Sequence, residues 1–527
     1  MSAQLKALNL GVDNQKQPVV IEHEPPFASS SEYTSLEIGT VDEHNRNVFS
    51  RTLSKGRALE AWMDRKMGVE RDAIQRVPED QRKPPRLWNI MFLWFSMLFS
   101  PTLLSIGTLG PIFGLSVKDA SIIMVFAAAL GSIIPSFTAI LSPHTGLRQI
   151  AVSRFAFGIW GAKVCGLLNI ITNIGFAIVN CIIAGQLISA VSEDTVPIAA
   201  GIIIVAVLGF IISLFGFAVI HHWESVAWIW ILVLLCVEWG QSARYFTPTP
   251  NLSMVTGIDN SGAALSFFAT MFGTCAAWCS MAGDYYVHYP TKIDKRLVFG
   301  LTWIGLMVPS IVVGLLGVFY GGIIMSNEAM SNVYNEGGIG ALMIATMRPS
   351  GWAKFAGVCY ALSFLANLVG IFYSSSLSIQ IWGKYWMAVP RFFWNLLLAA
   401  ITLGAAWGGR YVLEEILNNF LALLGYWTIS FGSILAIEHF YIRPKIGGYD
   451  LDGWQDPKKL PLGFAGLGTL VVSFGCSFIG MNQTWYAGPC AKLIGAYGGD
   501  VGDYFVLVIT LVLYPVLRTL EVKYSGR

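Results

Sequence analysis

The sequence predicts an all-α integral membrane protein of about twelve transmembrane helices, arranged as a five-plus-five inverted repeat with two peripheral helices. Three observations carry this. The 527 residues are 54% hydrophobic and only 13% charged, whereas soluble domains carry about a quarter charged residues. Apolar runs of about 20 residues, each long enough to cross a bilayer, recur along the chain. Two of those runs, five spans apart, are interrupted in the middle by small and helix-breaking residues.

The first interrupted run, Trp88 to Gly114, contains Ser96, Ser100-Pro101-Thr102, Ser105 and Gly107. The second, Ala263 to Ala282, contains Gly273, the small run Thr274 to Ala277 and then Trp278, with Gly283-Asp284 at its end. Backbone polar groups freed by a break cost several kcal/mol in lipid unless they line an enclosed cavity. Matched breaks in spans one and six therefore point to a central binding site of the secondary-transporter kind. Proline kinks in an ordinary bundle are the plainer reading, and polar residues elsewhere at membrane depth weigh against it.

Span centres fall near Pro101, Leu130, Phe176, Leu208, Leu234, Phe272, Pro309, Leu365, Ala400, Leu424, Leu470 and Leu511. Residues 1–86 precede them as a polar tail expected to be cytosolic and largely disordered. A possible amphipathic helix lies within it, carrying Leu59, Trp62, Met63, Met67 and Val69. The transmembrane domain is expected over 87–523 and a short cytosolic tail over 524–527. With the N-terminus inside, predicted internal loops hold about fifteen Lys/Arg and external ones about six, which places both termini in the cytosol. The sequons at Asn251 and Asn482 then fall outside, as weak glycosylation candidates.

In span three, Asn169, Asn173, Phe176 and Asn180 share one helical face. That face must look into the bundle, either as a ligand-facing stripe at Asn180 or as interhelical glue at Asn169. Span eight repeats the pattern with Ser363, Asn367, Gly370 and Ser374. Trp278 follows the small-residue break, where an indole can overhang a cavity and stack on a flat ring, with Phe176 as the opposite wall. Three acids, Glu224, Glu238 and Asp284, are candidates for a coupling proton. A solvated surface position is expected for Glu238 and Asp284.

The eight cysteines show no CxxC spacing and read as small buried hydrophobes. The seven histidines are scattered, so no metal, cofactor or catalytic set is expected, and a net charge of +2 gives no reason to invoke nucleic acid. The expected partners are the lipid bilayer and a small heterocyclic substrate.

Several segments resemble the fungal purine–cytosine permeases, a branch of the nucleobase–cation symporter family. In span one they are Leu93-Trp94-Phe95-Ser96 and Gly107-Thr108-Leu109-Gly110-Pro111. Ser153 to Gly158 and Gly175 to Asn180 follow, then Phe272-Gly273, Trp278 and Asp284-Tyr285, then Ala366-Asn367, Tyr373 and Leu377 to Gln380. The likeness covers residues 87 to 523. It implies a leucine-transporter-like fold and proton-coupled symport of a nucleobase or related heterocycle across the plasma membrane by alternating access. Sodium coupling is the runner-up, through span-eight hydroxyls. The resemblance also implies substrate contacts at Ser96, Asn180 and Trp278, and an acid in span five at Glu224. This chain departs from the family pattern at Leu98, Phe176, Leu368, Gly370 and Ile371, where the family carries asparagine, tryptophan, asparagine and an asparagine–proline pair. Those exchanges make the expected pocket more apolar and admit a vitamin-like ring, a specialised metabolite or a non-transporting sensor as alternatives.

Overall fold

The computed structural model describes residues 74–82, 84–214, 217–246 and 254–527. Each of the twelve expected centres falls within a helix. The helices are α1 (Asn89–Leu98), α2 (Pro101–Ile112), α3 (Val117–Gly131), α4 (Ile133–Thr145), α5 (Gln149–Val191), α6 (Ile198–Leu214) and α7 (Phe217–Ser242). There follow α8 (Ile258–Ala276), α9 (Lys295–Ser326), α10 (Glu328–Thr346), α11 (Ser350–Gln380), α12 (Arg391–Gly409), α13 (Leu413–Ile437), α14 (Phe464–Gly480) and α15 (Gly502–Ser525). Among the described residues, eight spans are long and apolar enough to cross a membrane by themselves, and α1 with α2, bent by 60°, passes as a ninth when taken together. The apolar helices α6 and α14 are shorter. Among the described residues the only β feature is an isolated bridge between Asn482 and Ala487.

The bend in span one has a local cause. Proline has no N–H and clashes with the carbonyl four residues back, so Pro101 cannot continue α1. The residue before a proline is driven to extended geometry, and Ser100 sits at φ −143°, ψ 153°. The break in span six lies later than the sequence suggested. Helix α8 runs through Gly273 to Ala276, then gives way to short 3-10 turns over Ala277–Ser280 and Ala282–Tyr285. Gly273 serves close packing instead, because a Cβ there would stand 2.8 Å from the Leu421 carbonyl and 3.0 Å from Gly425 N on α13.

Helix α5 is 43 residues long, about 65 Å, and so exceeds the bilayer core. It is two helices joined at Gly158, whose φ of 63° favours glycine and whose absent Cβ admits the Pro461 carbonyl. Helix α10, which the sequence reading did not single out, is polar along its first half and breaks similarly at Gly338. The second half of span one packs backbone to backbone on α9, with Gly107 against Gly314 and Gly317, the small-residue route to close packing in lipid.

The tail boundary expected at residue 86 lies further toward the N-terminus. Ile74 and Val77 are buried, and Val77 N donates to the Gly146 carbonyl at 2.9 Å. Arg82 Nη1 donates to the carbonyls of Pro143 (2.7 Å) and Tyr289 (2.9 Å), tying this strap to the end of α4 and the segment after span six. The remaining tail, with its amphipathic stretch, lies outside the described residues. The peripheral position expected for the last span fits α15, where only 28% of the apolar window is buried. It is fastened at one end by an ion cluster in which Glu438 accepts from Arg443 Nε (2.8 Å), Arg518 Nε (3.1 Å) and Tyr514 (2.7 Å).

Candidate substrate site

The two expected walls face each other. Phe176, midway along α5, and Trp278, in the first 3-10 turn after α8, lie with ring centroids 6.1 Å apart and planes 20° from parallel. Trp94 of α1 meets Trp278 edge-on at 5.5 Å, and Phe420 of α13 meets Phe176 edge-on at 6.4 Å. Trp94 is fixed by its indole N–H, which donates to the Tyr286 hydroxyl at 2.5 Å. The sequence reading assigned no role to Trp94 or Phe420. One signal for Phe420 was present: Gly175 adjoins Phe176, and any Cβ there would occupy the Phe420 ring.

Beside the aromatic walls runs a chain of amides. Pro101 cannot bond the Met97 carbonyl, its partner four residues back, and that orphan accepts from Asn367 Nδ2 of α11 at 2.9 Å. Asn367 Oδ1 accepts from Asn180 Nδ2 of α5 at 2.8 Å. Asn180 Oδ1 accepts from Thr102 Oγ1 at 2.6 Å, on the far side of the same break. An average interhelical hydrogen bond in a membrane contributes about 0.6 kcal/mol, but an orphaned peptide group costs several. Asn180 lies one turn from Phe176, so the amides and the aromatic walls adjoin.

A second network lies toward the other end of α5. Ser280 Oγ donates to Asn169 Oδ1 at 2.6 Å, and Asn169 Nδ2 donates to Ser378 Oγ at 2.8 Å. Asn173 Nδ2 donates to Ser375 Oγ at 3.0 Å. Asn169 therefore acts as glue between α5, α11 and span six. Asp284 belongs here too, and its expected surface position is corrected. It is buried, accepting from Gln149 N and Ser374 Oγ at 2.8 Å each, while Arg148 donates to its carbonyl. Glu238 is likewise fully buried, contrary to expectation. Both find their partners on helices remote in sequence.

The other candidates are placed unevenly. Ser96 is buried on α1, one residue before Met97. Gly370 lies under Met97 and the Tyr285 hydroxyl, where a Cβ would stand 2.6 Å from the Met97 methyl. Ile371 and Leu98 are buried. Leu368 points elsewhere, packing on Gly209 of α6. Glu224 falls on α7, but its side chain, like Asn251, lies outside the described residues. Asn482 is half-buried and its amide nitrogen donates to the Tyr497 carbonyl at 3.2 Å, so the group a glycan would join is engaged.

The sequence model of the family described as permease for cytosine/purines, uracil, thiamine, allantoin matches residues 76–502. The chain belongs to this family. It is 31% identical over 515 residues to the purine-cytosine permease of Emericella nidulans, covering 96% of this chain and 98% of that one. It is 29% identical over 552 residues to the vitamin B6 transporter of Saccharomyces cerevisiae, covering 94% of each. It is thus a divergent member of the fungal purine-cytosine permease branch. Among solved structures it superposes on Mhp1, a nucleobase-cation-symport-1 family transporter in a closed conformation with bromovinylhydantoin bound. That match has a TM-score of 0.65 at 14% identity and covers 86% of this chain and 96% of that one. The fold is therefore that of this transporter family, and the chain is a multi-pass membrane permease.

A double-mutant cycle on Asn180 and Asn367 checks the amide chain. Replacing either by alanine is expected to lower the melting temperature of the purified protein. A coupling energy of about 0.5–3 kcal/mol is expected between them, because each leaves the other's buried amide unpaired.

Proposed function

We propose that this permease carries a small flat heterocycle, a nucleobase or a close relative, into the cell by proton-coupled symport at the plasma membrane, with both termini cytosolic. The observation that carries this reading is the parallel pair Phe176 and Trp278, with partly used amides at its edge. An aromatic ring held between two others needs about 7 Å from plane to plane, since non-bonded carbons approach to about 3.5 Å. With ring centroids 6.1 Å apart the planes stand no further apart than that, so admitting substrate parts them by at least about 1 Å. Phe420, resting on Phe176 from α13, must give way in the same step.

The polar edge of the substrate then meets amides that already hold the break but are not exhausted. A primary amide offers two N–H donors and two acceptor lone pairs. Asn180 and Asn367 each use one donor and one acceptor in the network. Each retains one N–H and one lone pair for a ring edge, which suits heterocycles presenting both donors and acceptors. Purines, cytosine and vitamin B6, the cargo named for relatives, share that description. Phe176 and Gly370, where the family pattern carries tryptophan and asparagine, favour a substrate with a more apolar edge than cytosine. Opening first to one side and then to the other around this fixed site would complete the cycle.

The proton reading gains support from span eight. Its hydroxyls, the candidates for sodium, already hold structural contacts: Ser374 donates to Asp284, Ser375 and Ser378 accept from Asn173 and Asn169 of α5, and Ser376 donates to the Tyr373 carbonyl of its own helix. One elementary charge entering down a potential of 100 mV is worth about 2.3 kcal/mol, enough to accumulate substrate.

Uptake of tritiated cytosine, adenine and pyridoxine by a permease-deficient yeast strain tests the proposal. At least one is expected to accumulate without sodium and to stop accumulating on addition of a protonophore; sodium-dependent, protonophore-resistant uptake would refute proton coupling. Trp278→Ala is expected to abolish that uptake at unchanged surface expression. Phe176→Ala is expected to raise KM by about 5- to 150-fold, the loss of about 1–3 kcal/mol of stacking.

A further inference from the structure

The proposed cycle needs a group that takes up and gives off a proton, and Glu238 has the setting for it. It lies one turn from the end of α7, is fully buried, and has no cationic partner among the described residues. The contrast with Glu438, which two arginines neutralise, is direct. A buried carboxylate without a cation is costly, whereas the neutral acid is not. The groups facing Glu238 are hydroxyls. Tyr320 of α9 lies 2.8 Å from Oε1, and Tyr360 of α11 stands beside the carboxyl. Thr346 of α10 lies behind, its Oγ1 2.6 Å from the Tyr320 hydroxyl. Of the other titratable groups nearby, Cys236 on α7 and Arg244 are exposed, and Arg244 is spent on the Gln241 and Thr346 carbonyls. The acids of α10, Glu328 and Glu336, are exposed, and α1 carries no titratable residue.

Hydrogen counting shows what this arrangement can do. Tyr320 has one O–H and can donate once. Thr346 also donates once, and its Oγ1 lies 2.9 Å from the Met343 carbonyl. With Glu238 protonated, the three hydroxyl protons of this chain find acceptors in one direction: Glu238 to Tyr320, Tyr320 to Thr346, Thr346 to Met343 O. With Glu238 ionised the chain runs backward, Thr346 to Tyr320 and Tyr320 to Glu238, without a heavy atom moving. Only the Oε2 atom and the Tyr360 hydroxyl are left without a bond of good geometry, so a proton change there has room to be felt.

We propose that Glu238 is the proton-binding carboxyl of this permease and that the Tyr320–Thr346 hydroxyl pair reverses its hydrogen bonds as the proton binds and leaves. The inference rests on the proton-symport reading. One O–H bond forms on Glu238 from a proton of the water on the entry side, and the same bond breaks on release to the opposite side. The site reaches the substrate through two helices. Tyr360 and Asn367 share α11, seven residues or about 10.5 Å apart. Helix α7 also grips the first half of span one, where Trp228 stacks on Phe92 at 5.3 Å and meets Phe95 at 5.4 Å. Charging or discharging Glu238 thus acts on the elements that hold the Met97 break.

The test uses the full chain in proteoliposomes with whichever tritiated probe the yeast assay selects. With one proton per substrate, an inward pH gradient of one unit sustains about tenfold accumulation by the wild type. Glu238→Gln, which keeps size and polarity but cannot ionise, is expected to show no accumulation while retaining counterflow exchange. Tyr320→Phe keeps the carboxyl, cuts the hydroxyl chain and is expected to shift the pH profile of uptake. Gradient-driven accumulation by Glu238→Gln equal to wild type overturns the assignment and leaves the symport reading intact. A wild type that ignores the pH gradient overturns both. Should Glu238→Gln fail in counterflow as well, the Tyr320→Phe profile decides: shifted supports the site, unshifted rejects it.

Discussion

The structure turns on one backbone carbonyl. Pro101 denies Met97 its helical partner in the middle of a membrane, where water cannot replace it, and the cost of leaving it bare is several kcal/mol. Asn367 supplies the missing donor at 2.9 Å. Its own amide oxygen is held by Asn180, which in turn accepts from Thr102 beyond the break. Three helices thereby become mutually dependent: the broken span keeps its bend only while α5 and α11 present their amides. A fold arranged this way places polar groups with spare capacity at bilayer depth, which an unbroken bundle has no reason to retain.

The aromatic walls depend on the same geometry. Trp278 overhangs because span six abandons α-helix at Ala277, and Trp94, one turn before the break, braces it edge-on. Glycines let the backbones approach closely enough for these rings to meet: Gly107 against α9, Gly273 against α13, Gly175 beneath Phe420. With lipid tails as apolar as leucine, such close packing replaces the hydrophobic drive that organises soluble cores. The result is a pair of near-parallel rings set too close for a third ring to enter unless the helices that carry them move apart.

What the sequence revealed and what it hid follow a physical line. Local signals read true: span one bends at Ser100-Pro101, and amides at helical spacing share a face. The facing of Trp278 and Phe176 was legible because Trp278 follows a small-residue run. The burial of Asp284 and Glu238 was not legible, because their partners, Gln149 and Ser374 for one and Tyr320 and Tyr360 for the other, come from helices distant in the chain. Gly273 looked like a break and proved to be a packing contact, since glycine serves both purposes. Leu368 was grouped with pocket positions by the family resemblance, yet it faces α6, because residues adjacent on a helix point about 100° apart. The docking of residues 74–82 was missed because a short polar strap has no periodicity to announce it.

The most direct measurement is on Pro101→Ala. Alanine restores the N–H that Met97 lacks and lets α1 and α2 join, so the bend would no longer be enforced. The variant is expected to reach the membrane, melt at least as high as the wild type and transport nothing. Wild-type uptake by Pro101→Ala would contradict this, because the site would then exist without the break that is held to create it.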